Sequence, residues 1–241
     1  MTKKIGVLGA GLIGRKHIDI ADAADALHAI VDPQDSARTL AEEKDCLSFA
    51  TIEEYLADNQ PDGVIIATPN QLHVEHGLSC IERNVPVLIE KPIADVAELA
   101  ERLVDTADAA NVPILVGHHR RHNPLIKAAK KAIDDGKIGD IVSVHAQFWL
   151  RKPDDYFEPD WRRSKGAGPL FINLIHDIDL LRHLCGEVVR VQAIESNKTR
   201  GHEVEDTAVV IAEFHNGALG TVSVSDAIPA PWSWELTAAE N

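Results

Sequence analysis

Two side chains of this sequence have the chemistry that the oxidation of an alcohol requires. Lys91 follows the apolar stretch VPVLI and a glutamate, and His176 lies within the segment FINLIHDIDLLRHL. An imidazole that titrates near neutrality can accept a hydroxyl proton, and an ammonium group can stabilise the oxygen that loses it. Each residue also has an ordinary explanation, because lysines are common at strand ends and a lone histidine often belongs to a core. The pair therefore predicts catalysis only if the chain also binds a hydride acceptor.

A glycine-rich loop near the N-terminus predicts such an acceptor. Gly9, Gly11 and Gly14 form the pattern G-x-G-x-x-G between a predicted strand and a predicted helix. The first glycine permits a tight turn, the second lets a pyrophosphate approach the backbone, and the third allows close packing of helix and strand. Asp32 ends the second predicted strand, where its carboxylate would bond the adenosine ribose and repel the additional phosphate of NADP. NAD is therefore the favoured cofactor, although Arg38 leaves NADP open.

A second segment predicts further cofactor contacts. Thr68, Pro69 and Asn70 follow the apolar strand GVIIA, and ligands of doubly wound sheets lie beyond the carboxyl ends of their strands. Thr-Pro-Asn is also a good turn and helix cap by itself, so the segment has a purely structural explanation as well. The complete set of predicted cofactor contacts is Gly9, Gly11, Leu12, Ile13, Gly14, Asp32, Thr68, Pro69, Asn70, His73, Glu90 and Lys91.

The elements that must position these residues differ between the two halves of the chain. Strand and helix signals alternate through the first half with short links, which predicts a doubly wound parallel sheet. The second half contains longer strands of alternating polarity and one predicted helix, PLFINLIHDIDLLRHLCG, which indicates an α/β domain with an open, mainly antiparallel sheet. We predict an NAD(P)-binding domain over residues 1–120 and a substrate-binding domain over residues 121–241, truncated at its C-terminus.

The overall composition excludes several partners. With 38 acidic and 24 basic residues, the chain of 241 residues has a formal charge of -14, which repels nucleic-acid phosphates and anionic lipids. We therefore predict no nucleic-acid and no membrane partner. The three cysteines are widely spaced, which suits free thiols in a reducing compartment, and we predict a cytoplasmic protein. We predict no metal site, because His118, His119 and His122 lack acidic or cysteine ligands at suitable spacing.

Together, these motifs resemble the Gfo/Idh/MocA oxidoreductases, a family that includes glucose–fructose oxidoreductase and inositol dehydrogenase. The resemblance covers nearly the whole chain, through Asp32 and the segments GVLGAGLIG, ATPNQLH, IEKPIAD, GHHRRHNP, DWR, GAG and IHDIDLL. It implies a Rossmann domain followed by an α/β domain with a large open sheet. It also implies that Lys91 orients or polarises the substrate, that His176 is the acid/base, and that the substrate is a sugar, an inositol or another cyclic polyol.

The predicted substrate contacts lie in both halves of the chain and are Lys91, Arg121, Trp161, Asn173 and His176. Arg121 could instead cap the next helix, and Trp161 could instead pack within its loop. Family members similar to inositol dehydrogenase carry an aspartate four residues before the histidine, where this chain has Ile172. Isoleucine cannot ionise, and Asn173 can hydrogen-bond a substrate but cannot act as a base. The usual carboxylate–lysine–histidine trio is therefore incomplete.

The sequence predicts an NAD(P)-dependent dehydrogenase that moves hydride between nicotinamide and a secondary alcohol or ketone of a sugar, inositol or related cyclic polyol. Two alternatives stay open. The first is a dehydrogenase of a cyclic diol in aromatic catabolism, for which the apolar Ile172 leaves room. The second is a non-catalytic NAD-binding regulator. The open sheet also predicts a homodimer or homotetramer, because exposed apolar sheet surface is normally buried.

Overall fold

Short apolar strands and amphipathic helices alternate along Met1–His118, the first of two units into which the chain divides. The computed structural model describes residues 2–231 and Trp234. In the first unit, six parallel strands form a sheet in the order β3-β2-β1-β4-β5-β6. They are β1 Ile5–Leu8, β2 Leu27–Val31, β3 Leu47–Phe49, β4 Gly63–Ile66, β5 Val87–Ile89 and β6 Ile114–Val116. The order reverses between β1 and β4, and ligands of such sheets bind at this kind of reversal.

Helices cover both faces of this sheet and are α1 Leu12–Ala23, α2 Asp35–Glu43, α3 Ile52–Asp58, α4 His73–Glu82 and α5 Ala97–Ala110. The first two helices bury their apolar residues with Val7 and Ile30 in one core cluster. The other three do so with Ile66 and Ile89 in a second cluster. This layering confirms the predicted doubly wound parallel sheet. Sequence reasoning did not identify β3, which has only three residues and is mostly exposed, so it carries little apolar signal.

The second unit, His119–Asn241, contains a mixed sheet of four strands in the order β7-β10-β9-β8. They are β7 Ser143–Trp149, β8 Val188–Ser196, β9 Thr207–Phe214 and β10 Leu219–Ser225, and the described helices are α6 Pro124–Asp134, α7 Pro169–Ile172 and α8 Leu174–Cys185. Strand β9 pairs antiparallel with β8 and β10, whereas β7 pairs parallel with β10. The predicted α/β class with a mainly antiparallel sheet is therefore confirmed. Gly217 lies in the turn between β9 and β10, with φ +84.

The single helix predicted over PLFINLIHDIDLLRHLCG is wrong, because the structure divides this segment into α7 and α8. Asn173 lies at the junction as the residue that caps α8, with φ -108, and its carbonyl oxygen accepts a hydrogen bond from the His176 amide at 3.2 Å. Asparagine is a weak helix former and is favoured at helix ends, which explains the break.

One face of the second sheet packs against α8, and the other is accessible to solvent. Phe148, Leu174 and Phe214 belong to the core on the packed face. On the other face, Val209, Ile211 and Ile194 are exposed among polar neighbours. The predicted association of subunits through this open sheet stays a prediction. Among the described residues, no helix is long and apolar enough to cross a membrane. Most of the C-terminal stretch PWSWELTAAEN, on which the prediction of truncation rested, lies outside the described residues.

Candidate functional site

The glycine loop between β1 and α1 has the geometry that a pyrophosphate needs. Gly9 has φ +94, and a Cβ there would lie 2.6 Å from the carbonyl oxygen of Ala67. A Cβ at Gly14 would overlap the carbonyl oxygen of Gly9, whereas a Cβ at Gly11 would meet nothing within 4 Å. The first and third glycines therefore allow close packing, and the second faces open space. Leu12, at the start of α1, is 80% exposed, which leaves the end of the helix accessible to an anion.

Asp32 is held in place at the end of β2 by two backbone amides. Its Oδ2 accepts a hydrogen bond from the Ala10 amide at 2.8 Å, and its Oδ1 accepts one from the Gln34 amide at 2.9 Å. Each carboxylate oxygen has a further lone pair, so Asp32 can accept hydrogen bonds from ribose hydroxyl groups as well. The loop and this carboxylate fit the two ends of an adenosine diphosphate group, which is the part of NAD that such sheets bind.

The segment after β4 is fixed by two histidines of α4. The Thr68 hydroxyl lies 3.1 Å from Nδ1 of His76, and burial lowers the pKa of His76. The Thr68 carbonyl oxygen lies 2.8 Å from Nε2 of His73. Pro69 is exposed and Asn70 is partly buried, so the surface of this segment is open to a ligand. His73, predicted as a cofactor contact, is 0% exposed and has no surface to offer one.

Glu90 connects the end of β5 to α1. Its Oε1 lies 2.7 Å from Nε2 of His17, and its Oε2 accepts a hydrogen bond from the Lys91 amide at 3.2 Å. Burial alone would raise the pKa of Glu90, but the contact with His17 and the Lys91 amide outweigh it, so the pKa lies below its ordinary value. A Cβ at Gly117 would come within 3.0 Å of this carboxylate, so the end of β6 completes its enclosure.

Lys91 follows this carboxylate directly and is partly buried, and its peptide bond to Pro92 is cis. Lys91, Asp32, Thr68 and the glycine loop all lie at the carboxyl ends of strands of the same sheet. The first unit therefore brings together the predicted cofactor residues and the predicted catalytic lysine at one edge.

In the second unit, His176 lies in the first turn of α8 and is buried. Its ring packs edge-on against the ring of His119, with centroids 5.3 Å apart and an interplanar angle of 71°. The neighbouring Asp177 accepts a hydrogen bond from Nη1 of Arg120 at 3.4 Å. The segment His119–His122, a short 3-10 helix, is thus attached to the part of α8 that carries the predicted acid/base.

Arg121, a predicted substrate contact, forms a two-point ion pair with Asp179. Its Nε donates to Oδ2 at 2.7 Å and its Nη2 donates to Oδ1 at 2.5 Å. The buried Asp179 carboxylate raises the pKa of Arg121. The ion pair connects Arg121 to α8, and its predicted contact with a substrate stays a prediction.

The two other predicted substrate residues are also placed within the second unit. Asn173 has a buried Oδ1 with no hydrogen-bond partner among the described residues, so it presents an acceptor at the start of α8. Trp161 is exposed in a 3-10 helix, with the Arg162 guanidinium 5.2 Å from its ring centroid. Both placements are compatible with contact to a ligand. Among the described residues, no group of three or more His, Cys, Asp or Glu side chains could hold a metal ion.

Sequence reasoning missed His17, His76 and Gly117, although one signal for His17 was available. His17 is three residues after Gly14 and therefore shares its helix face, which packs against the sheet. A histidine on such a face needs a polar partner, and the glutamate of a buried strand end is a suitable one. No comparable signal exists for Gly117, because its role depends only on the nearness of Glu90.

Two family models match the chain. One, described as "Oxidoreductase family, NAD-binding Rossmann fold", matches residues 3–118, and the other, described as "GFO/IDH/MocA C-terminal domain", matches residues 126–239. Inositol 2-dehydrogenase 2 of Saccharopolyspora erythraea is 29% identical over an alignment of 235 residues, which covers 93% of this chain and 67% of that protein. The 2,7-anhydro-N-acetylneuraminate hydratase of Escherichia coli is 28% identical over an alignment of 237 residues, which covers 94% of this chain and 62% of that protein.

A solved structure is similar over both units. The WlbA dehydrogenase from Bordetella pertussis, crystallised in complex with NADH and UDP-GlcNAcA, matches with a TM-score of 0.86 at 29% identity. The match covers 96% of this chain and 72% of that one. The chain thus spans about two thirds of the length of the relatives that it resembles.

Proposed function

The chain belongs to the Gfo/Idh/MocA family of NAD-binding oxidoreductases, and we propose that it is an NAD-dependent dehydrogenase of a secondary alcohol on a sugar, inositol or related cyclic polyol. The membership confirms the predicted family, the oxidoreductase class and NAD as the cofactor. The substrate class is supported by the relatives, of which one is named an inositol dehydrogenase and another was crystallised with a nucleotide sugar.

The proposal rests on one observation: the glycine loop, Asp32 and Lys91 all lie at the same edge of the first sheet. When bound there, NAD supplies the hydride acceptor. Lys91 would donate a hydrogen bond to the substrate oxygen and stabilise the negative charge that develops on it. His176 would accept the hydroxyl proton, and in the reverse direction it would return that proton to the ketone oxygen.

Replacement of Lys91 by methionine tests this proposal. The variant Lys91→Met keeps the length of the side chain and removes its charge, so we expect turnover to fall about 100- to 1000-fold, as for loss of one group that stabilises a developing oxyanion. The affinity for NAD, measured by fluorescence titration, should change little, because the pyrophosphate and ribose contacts lie on the glycine loop and Asp32. Lys127→Met, on the exposed face of α6, is the matched control.

The assay should follow both NADH and the identity of the product, since one relative is named a hydratase. Full activity of Lys91→Met would contradict the role of the lysine. A protein that binds NAD but leaves every polyol unchanged would favour the NAD-binding regulator. Turnover of a cyclic diol with no turnover of polyols would favour the alternative in aromatic catabolism.

A further inference from the structure

We propose that His73 is a positioning residue that ties the segment carrying Thr68 to the segment carrying Lys91. The role of Lys91 itself rests on the proposed function, whereas the tie does not. His73 is the first residue of α4, and its side chain is completely buried. Its Nε2 lies 2.8 Å from the carbonyl oxygen of Thr68, and its Nδ1 lies 2.7 Å from the carbonyl oxygen of Pro92.

The two carbonyl groups belong to segments that leave neighbouring strands of the sheet. Strand β4 leads to Thr68 and β5 leads to Pro92, and the two strands pair in parallel with Ile66 opposite Ile89. Beyond these last paired residues, one amide of the second segment still bonds the first strand, from Glu90 to the Ile66 carbonyl oxygen at 2.9 Å. The imidazole ring joins the two segments a second time, further along the chain, at Thr68 and Pro92.

The chemistry of the ring suits this position better than that of any amide side chain. Both neighbours are carbonyl oxygens, which accept hydrogen bonds, and the ring presents one nitrogen to each of them. The NH₂ group of asparagine or glutamine carries both of its donors on one nitrogen, whereas the ring contacts the two carbonyl oxygens through two different nitrogens. Replacement of His73 by either residue should therefore keep a polar side chain and release at least one segment.

Release of this tie should affect Lys91. Lys91 stands between two fixed neighbours, because Glu90 is held by His17 and Pro92 is held by His73. The glycine loop packs against the other tied segment, at Ala67 and Thr68. A shift of about 1 Å in a group that aligns the reacting atoms can cost about 100-fold in rate.

Hydrogen exchange measured by mass spectrometry tests the tie without any need for activity. In His73→Asn, we expect amides in residues 67–72 and 90–94 to exchange faster, and both segments to change together. The control is His28→Asn, which loses a partly buried contact between Nδ1 and the Tyr55 hydroxyl at 2.9 Å in the same unit. That control should leave both segments unchanged. Unchanged exchange in His73→Asn, or an equal change in both variants, would overturn the tie.

Steady-state kinetics test the positioning of Lys91. For His73→Asn we expect kcat at saturating NAD to fall about 10- to 100-fold. A loss of rate that saturating NAD restores would overturn the proposal, as would an unchanged kcat in a protein with faster exchange. If the wild type itself shows no turnover, the proposed function fails and hydrogen exchange still decides the tie. If His73→Asn does not fold, His73→Gln takes its place in both measurements.

Discussion

Removal of the His17 side chain should destabilise the first unit through the Glu90 carboxylate. The two side chains are only 20% and 16% exposed, and their contact is 2.7 Å long. In His17→Ala, the carboxylate keeps its burial and the Lys91 amide, but it loses its strongest side-chain partner. The space around it is also confined, because the end of β6 allows no side chain at Gly117.

The expected loss follows from the burial of this pair. A hydrogen bond to a charged group contributes about 1.5–3 kcal/mol, and a buried acceptor that loses its partner costs about 1–3 kcal/mol. An exposed ion pair would contribute only about 0–1 kcal/mol. Because both side chains retain some exposure, we expect His17→Ala to lower the free energy of unfolding by about 1–3 kcal/mol at pH 7.

The dependence on pH identifies the carboxylate as the cause. The pKa of Glu90 in the folded protein lies below its ordinary value of 4.5, so its stabilisation is complete above that pH. The stabilisation is lost as the pH falls through the lowered pKa of the folded state. Without His17, burial raises the pKa of Glu90 with less opposition, so the difference between wild type and variant should be large at pH 7 and shrink below about pH 4.5.

Urea unfolding followed by circular dichroism measures both quantities. His17→Gln is the control, because its amide can still donate a hydrogen bond to Glu90, and it should recover part of the lost stability. A loss in His17→Ala that is the same at pH 7 and at pH 4 would refute the reasoning, because it would point to packing of the ring and not to the carboxylate. A loss below about 0.5 kcal/mol at pH 7 would refute it as well.

Two further predictions concern the glycine loop and the ion pair between Arg121 and Asp179. Gly11→Ala should fold normally, because its Cβ meets open space, but should bind NAD about tenfold more weakly in a fluorescence titration. Gly14→Ala should lower the melting temperature, because its Cβ overlaps Gly9. Equal melting temperatures of the two variants would contradict this. Asp179→Asn should lower the free energy of unfolding by about 1–3 kcal/mol in urea, since it weakens a partly exposed ion pair with Arg121; an unchanged midpoint would contradict this.

The cofactor loop could be predicted from sequence because its role depends on the backbone conformation of adjacent residues. Gly9 has the positive φ that the pattern implies, and the positions of Gly11 and Gly14 agree with their expected roles. Asp32 could be predicted equally well, since only α1, one turn and β2 separate it from the loop. The spacing of the apolar residues was sufficient to predict the parallel sheet. It did not predict β3, a strand of three mostly exposed residues at the edge of that sheet.

The contacts that fix the site could not be predicted, because they join segments that are far apart in the chain. His17 and Glu90 are 73 residues apart, and Arg121 and Asp179 are 58 residues apart. No local pattern encodes such pairs. The role of His73 could not be predicted from its motif either. The motif predicted a contact with the cofactor, whereas the ring lies buried between two carbonyl groups and, as we propose, holds two segments of the site together.

The formation of NADH by the purified protein, followed at 340 nm with NAD and a panel of sugars, inositols and cyclic diols, tests the central claim most directly. We predict turnover with at least one sugar or inositol, and its loss in Lys91→Met with NAD binding retained. Binding of NAD without conversion of any member of the panel would contradict the claim.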